Sequence, residues 1–181
     1  MLRFAVICWD NIPAKESFVA VDMYLKLDGV TGGTKNYSYK GWSDVISYGW
    51  GMVSNRSSSV VSDKDMTSFR EISISKLIST DSTEIMTLYA EGKTIDFAEL
   101  KVAPVSTKKS DKPKYLNLRM EDVLIKSIVT GGENSDDFFK EKIILLFDRV
   151  KCEYFAPQTV GDEEVTSEYI FDWDIANNKK N

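Results

Sequence analysis

From Val21 onward the chain alternates apolar and polar residues at a period of two, and it clearly leaves that period only once. Side chains two apart in a strand point the same way, so sustained alternation commits a chain to half-buried strands. In "MYLKLDGV" Met23, Leu25 and Leu27 share one face against Tyr24, Lys26 and Asp28. In "GWSDVISYGWGM" the even positions hold Trp42, Ile46, Tyr48, Trp50 and Met52, while the odd ones hold Ser43, Val45, Ser47, Gly49 and Gly51. Rings that share a face with aliphatics predict a core-facing strand. The small opposite face suits a wall toward water or a close neighbour.

The pattern continues along the chain. "NRSSSVVSDKD" reads as a long exposed loop. "TSFREISISKL" is a strand with Ile72 and Ile74 on one face. In "KTIDFAELKVAPV" the apolar phase moves from Ile95 and Phe97 to Leu100 and Val102, which predicts a β-bulge near Ala98–Glu99. "VSTKKSDKPK" and "TGGENSDD" read as hairpin loops. "YLNLRMEDVLIKSIV" puts Leu116, Leu118, Met120, Leu124 and Ile128 together. "FFKEKIILLFDRVKCEYF" reads as one long central strand, apolar on both faces from Ile143 to Phe147, and "EYIFDWDI" as the last strand.

The single change of period falls in "STDSTEIMTLYAEG". Asp81 or Ser82 can cap a helix there, Glu84 supports its first turn, and Gly92 stops it. Ile85, Leu88 and Tyr89 form its apolar stripe. About nine strands and one helix, with no alternation of strand and helix, predict a mainly β fold, an antiparallel barrel or sandwich.

Composition narrows the functions. The 181 residues carry a net charge of −5, which disfavours a protein that coats nucleic acid; the Lys108–Lys109 and Lys179–Lys180 pairs sit in polar stretches. The absence of histidine removes the commonest general base and metal ligand. Cys8 and Cys152 cannot build a metal framework, and Cys152 reads as a small buried hydrophobe with no disulfide expected. The apolar run from Phe4 to Trp9 is shorter than the about 7–15 residues of a secretory segment, and no stretch reaches the ~20 of a membrane span.

No constellation of catalytic residues emerges. Asp136–Asp137 beside Gly131–Gly132 matches no calcium loop and is ordinary turn chemistry. Glu163–Glu164 falls in a loop, and Glu121–Asp122 should point to opposite faces of a strand. "TGGT", Thr31 to Thr34, lacks the lysine of a phosphate loop and reads as a turn. No enzyme and no cofactor are expected.

The stretches "DMYLKLDGVTGG", "SDVISYGWGM", "LRMEDVLIKSIVTGGENSDDFFKEKIILLFDRVKCEY" and "FDWDIANNKK" together resemble Hcp, the tube protein of bacterial type VI secretion, in that family's order and spacing. The resemblance runs from about Val21 to the C-terminus and is far more specific than any single motif. It implies an antiparallel two-sheet β-barrel with one flanking α-helix over residues 21–181. Residues 1–20 have no counterpart. They are expected to be an upstream-assigned start or an extension, too short for an independent fold.

The resemblance further implies homohexameric rings stacked into a hollow tube inside a contractile sheath on a baseplate, tipped by the spike protein VgrG. Small effectors travel in the lumen. The protein passes from the bacterial cytoplasm to the outside or into a target cell without a signal peptide, with no nucleic acid and no membrane insertion. Ser47, Gly49 and Gly51 are then expected to face lumen and cargo. Family members often carry a serine at the place of Gly49 and a histidine at that of Tyr39. Thr31, Lys35 and Tyr39 in one loop, and Ser57, Ser58 and Ser59 in another, are expected to govern ring stacking. The alternative reading is a β-sandwich that binds a glycan or polymer on exposed Trp42, Tyr48, Trp50 or Trp173.

Overall fold

The computed structural model describes residues 20–54, 67–105, 115–134, 138–160 and 163–181. Every described ladder is antiparallel. One layer runs, side by side, β2 (Ser43–Val45), β1 (Val21–Leu27), β7 (Thr94–Pro104), the first half of β8 (Leu116–Gly131), β10 (Arg149–Val160), β11 (Glu163–Asp174) and β12 (Lys179–Lys180). The second layer runs β3 (Ser47–Gly49), β6 (Ile72–Leu77), β9 (Lys140–Leu146) and the second half of β8. A separate ribbon pairs β4 (Met52–Ser54) with β5 (Thr67–Phe69). The result is a mainly β, two-sheet barrel flanked by one α-helix, α1 (Ser82–Glu91).

β8 is shared by both layers. Its residues 116–121 pair with β10, and its residues 124–131 pair with β9. The turn between layers comes at Asp122, whose φ of 54° is left-handed, a conformation Asp adopts more readily than bulky residues. The apolar phase reverses there: Leu118 and Met120 are buried before it, Val123 and Ile125 after it. Leu124, expected inside, is therefore exposed. The facing strand changes phase at the same place, with Ile95 and then Ala98 and Leu100 buried. The pairing of β7 with β8 keeps one register across this point, so the expected bulge at Ala98–Glu99 is not there. The register shift lies in β8 against β9, between Ile125 and Ser127.

Two further expectations are corrected. The run from Phe138 to Phe155 is not one strand; it turns at Phe147–Asp148, and its halves β9 and β10 join different layers. "SDVISYGWGM" is likewise broken. β2 pairs with β1, while β3 pairs with β6. The ladders do not run on around this seam, which is bridged by Ile46 N–H donating to the Ser75 carbonyl at 2.8 Å. Crossing it flips the inward parity: Ser43 and Val45 point in before the seam, Tyr48 and Trp50 after it. Ile46 and Met52 are exposed, against expectation.

The core fills the space between layers. Ile72, Ile74, Ile143 and Leu145 from one layer meet Leu25, Leu100, Leu118 and Met120 from the other, all essentially sealed from water. Ile85 anchors α1 to this core, Leu88 is half-buried, and Tyr89 is exposed. Gly92 ends the helix at φ 64°, where its N–H reaches the Leu88 and Tyr89 carbonyls.

Candidate functional site

The outer face of the second layer carries the small residues singled out in the sequence. Ser47 lies opposite Ser75 and Gly49 opposite Ser73, while the next strand adds Lys142 and Ile144 in the same rows. Ser47 and Gly49 are exposed. Gly51 is half-buried just past the end of β3. Beside them lies an open hollow of about 470 Å³ with Gly49, Gly51, Ser73 and Ile144 in its lining and Arg70 and Glu71 at its side. Glu71 accepts a bond from Lys126 at 2.9 Å, which holds its carboxyl below the usual range. Among the described residues that line it, Ser73 is the one hydroxyl and Glu71 the one carboxylate, and Glu71 is engaged by Lys126.

The rings behind that face pack inward. Tyr48 and Trp50 rest against the core cluster, and Trp50 stands 6.3 Å from the Phe147 ring and 6.5 Å from that of Phe171. Phe69 extends this cluster to Phe171 and Trp173, anchoring the β4–β5 ribbon. Trp42 is engaged otherwise: Lys101 Nζ sits 4.6 Å above its ring and Tyr39 meets it edge-on. These rings are not open platforms for a sugar.

The loop after β1 is tightly built. Tyr39 stacks on Tyr24 at 4.0 Å. Asn36 donates to the Tyr24 hydroxyl and accepts the Ser38 N–H, capping a single 3-10 turn over Tyr37–Tyr39. Burial pushes the Tyr24 phenol up to about 12, with Asp22 adding to the shift and Asn36 opposing it. Gly32 packs so closely that a Cβ there would fall 2.1 Å from the Trp42 carbonyl carbon. The "TGGT" turn thus holds a packing glycine. Thr31 and Lys35 are exposed, and the Thr31 N–H donates to Glu84 on α1. Ser57, Ser58 and Ser59 lie outside the described residues, as do Cys8, Lys108–Lys109 and Asp136–Asp137.

A charged cluster inside the barrel escaped the sequence reading. Lys76 is sealed from water, with Nζ 2.7 Å from Glu141 and 3.0 Å from Asp81. Ser79, Ser82 and the Leu77 carbonyl also accept from it. Ser43 and Ser79 donate to Asp81. Burial raises the Asp81 carboxyl, but the bonds from Ser43, Ser79 and Lys76 outweigh it and hold the group below its usual range. Glu141 Oε2 is buried with no partner among the described residues. The signal was in the alternation: Lys76 continues the Ile72–Ile74 face and Glu141 precedes Ile143–Leu145 on theirs. The cluster ties β6, β9, β2 and the start of α1 together.

Other candidate chemistry resolves into structure. Glu121 and Asp122 do not diverge as strand residues should; the left-handed Asp122 lets both reach Arg149, at 3.6 and 2.7 Å. Cys152 is a free, half-buried thiol pushed up by burial and then by Glu153, a poor nucleophile. Among the described residues no group of three or more Cys, Asp or Glu could hold a metal ion, and no helix is long and apolar enough to cross a membrane.

A two-layer β-barrel whose charged cluster is internal and whose outer face is small and polar along β3 and β6 defines a protein of surfaces. The comparisons give its family. Residues 24–154 match the model of the family described as "Type VI secretion system effector, Hcp", and the chain belongs to that family of secreted type VI tube proteins. It is 25% identical over 162 residues to Protein hcp1 of Pseudomonas aeruginosa, a match covering 88% of this chain and 98% of that one. Its fold is similar to a structure described as a type six secretion system protein (TM-score 0.76, 22% identity, 90% of this chain and 100% of that one). It is also similar to Hcp1 of Salmonella typhimurium (TM-score 0.68, 23% identity, 89% and 99%).

Proposed function

We propose that the chain is the tube subunit of a type VI secretion system, a structural protein without enzymatic activity. Copies close into a hexameric ring, and rings stack into a hollow tube. The outer face of the β3–β6–β9–β8 layer lines the lumen, with Ser47, Gly49 and Gly51 toward cargo. Small effectors travel there. The polar loops, one from Thr31 to Tyr39 and one holding Ser57, Ser58 and Ser59, govern the stacking of ring on ring. The sheath, the baseplate and VgrG are the further partners, and export from the bacterial cytoplasm needs no signal peptide. Residues 21–181 form the tube domain, with residues 1–20 as an extension to it.

The observation that carries this reading is the row of exposed Ser47 and Gly49 beside half-buried Ser75 and Ser73 on one sheet face, in a chain of this family. The small β3–β6 part of that wall leaves room for cargo and gives it no strong hold, while Lys142 and Ile144 of β9 stand in the same rows. Mass measurement in solution, with negative-stain imaging, tests it. Particles of six subunit masses with a central hole are expected. Monomer alone across a wide concentration range would overturn the reading.

A further inference from the structure

We infer that the outer face of the β3–β6–β9–β8 layer selects cargo by charge, holding a cargo carboxylate at Arg70 in the hollow beside Gly49. This rests on the lumen reading above and names the chemistry that the wall favours.

The chain is acidic, at a net charge of −5, yet this face is basic. Pairing fixes which side chains share it. Ser47, Ser75, Lys142 and Val129 form one row, and Gly49, Ser73, Ile144 and Ser127 the next. Lys140 follows beside Leu77 and Gly131. Beyond the Gly49 row, Arg70 and Glu71 stand at the hollow, and Lys126 holds Glu71 at 2.9 Å. The face thus carries Arg70, Lys126, Lys140 and Lys142 against Glu71. Arg70, Lys140 and Lys142 are exposed, and none of the three has a hydrogen bond or ion pair among the described residues.

Other acidic residues lie at the margins. The β8–β9 connection holds Glu133, Asp136 and Asp137 in sequence, at the Lys140 end. The six residues of β6, roughly 20 Å at about 3.4 Å each, separate that end from Arg70. Asp148 lies past the end of β9, in a turn whose backbone bonds to Glu121 and Ile175. The β4–β5 connection holds Arg56, Asp63, Lys64 and Asp65 in sequence, charges that cancel. The positive excess therefore sits at Arg70 and Lys142, on either side of the Gly49 row.

The hollow suits a carboxylate. It is open, about 470 Å³, and glycines at positions 49 and 51 leave it free of side chains there. A Cβ at Gly51 would meet nothing within 4 Å. The guanidinium of Arg70 is a planar fork that matches a carboxylate, and the Ser73 hydroxyl stands beside it. Nucleic acid fits less well, because Tyr48 and Trp50 turn their rings into the core and leave no platform for bases. Exposed Leu124, Leu146 and Val129 stand among the cations instead, a mixture that suits protein cargo. One exposed ion pair is weak. In a ring each cation recurs in every copy, and a channel of one sign focuses its field inside.

The experiment uses the full-length chain and short rhodamine-labelled peptides with both ends blocked, alternating Ser with Glu, Gln or Lys. A further Ser/Gln peptide keeps a free C-terminal carboxylate. Anisotropy at low salt should show the Glu peptide binding about tenfold tighter than the blocked Gln peptide, a preference that shrinks as salt rises. A gain by the free C-terminus also supports the site, and comparing the two gains separates side-chain from terminal carboxylates. Arg70→Gln with Lys142→Gln should remove most of the preference. Lys93→Gln with Lys179→Gln takes the same charge from elsewhere and should leave it within about twofold. Equal binding of Glu and Gln peptides, equal loss in the distal pair, or tighter binding of an oligothymidine overturns the inference. Sedimentation of the same samples reads assembly separately. Loss of particle mass in the Arg70 and Lys142 variant would make this face a subunit contact and also overturn it. A natural chain that stays monomeric fails the tube reading alone. Every group named here belongs to one copy, so the peptide preference is scored on the monomer just the same.

Discussion

Lys76 and Glu141 face each other across the β6–β9 ladder, and their charged ends meet at 2.7 Å with both side chains sealed from water. Asp81 completes the cluster from the start of α1, at 3.0 Å. Taking charges out of water is expensive, so this cluster is not a source of stability in itself. Breaking it is another matter. Lys76→Met leaves two buried carboxylates without their cation and should cost about 3–5 kcal/mol. Lys76→Met with Glu141→Leu should recover part of that loss, because one orphaned charge has gone. Urea unfolding at one fixed protein concentration, since assembly itself adds stability, checks both. Lys76→Met that unfolds like the natural chain would remove the cluster from the account.

Asp81 gives the cluster a pH dependence of definite sign. Its carboxyl is held below the ordinary range in the folded chain. Its stabilising effect is therefore complete above the ordinary Asp value of about 3.9 and is lost as pH falls through the lower folded value. Melting temperature should drop steeply below about pH 4, and Asp81→Asn should flatten that drop while lowering stability at neutral pH. An unchanged acid slope in the variant would place the titration elsewhere.

This cluster also marks where the sequence was legible and where it was not. Period-two alternation identified most strand segments, and helical spacing identified α1, because both record burial of one face. Lys76 followed the same rule, yet a lysine in a strand is ordinarily read as solvated, and its partners stand five and sixty-five positions away. The turns between layers were harder. At Asp122 and at Ile46 the chain passes from one sheet to the other and its inward parity reverses. A local window reads either the phase before such a point or the phase after it, which is why Leu124 and Ile46 were assigned to the wrong face. The loop after β1 was visible as a polar segment, but the polar run "APQTVGDEEVTS", read as a link with Glu163–Glu164 in a loop, is paired strand, β10 against β11 up to Val160 opposite Glu163. What pins Tyr39 to Tyr24 is tertiary and has no local signature.

Trp50 tests the aromatic cluster that closes the barrel beside β3. It is half-buried, tilted against Phe147 and Phe171, and its indole N–H is buried with no acceptor among the described residues. Full truncation of a core ring costs about 3–5 kcal/mol, so half burial sets Trp50→Ala nearer about 2–3 kcal/mol. Trp50→Phe should cost less, since it keeps the ring contacts and removes a buried donor that lacks a partner. Denaturant unfolding of both ranks them. Unchanged stability in Trp50→Ala, with loss of binding to a polysaccharide, would favour the platform reading instead.

Gly32 and Gly49 are both backbone glycines beside strands, and the structure assigns them opposite sensitivities. At Gly32 a Cβ would fall 2.1 Å from the Trp42 carbonyl carbon and 2.4 Å from the Ser43 nitrogen, atoms that cannot move without opening the start of β2. Gly32 N–H also donates to the Gly41 carbonyl at 3.0 Å, so displacing it loosens the loop that presents Lys35 and Tyr37. At Gly49 a Cβ would meet only Ser73 Oγ, at 3.3 Å, a hydroxyl that can turn aside. Its φ is not left-handed, so a side chain brings no backbone strain. Gly32→Ser should therefore destabilise the chain by about 2 kcal/mol or more and impair assembly, as overpacking against backbone does. Gly49→Ser should melt within about 1 kcal/mol of the natural chain and assemble normally, because surface changes away from special features are small. It adds one hydroxyl per subunit to the face proposed to line the lumen, so the amount of co-expressed small effectors that co-purify should change while the particle mass does not. If Gly49→Ser abolished assembly instead, the face around Ser47 and Gly49 would be a contact between subunits and not the wall of a channel.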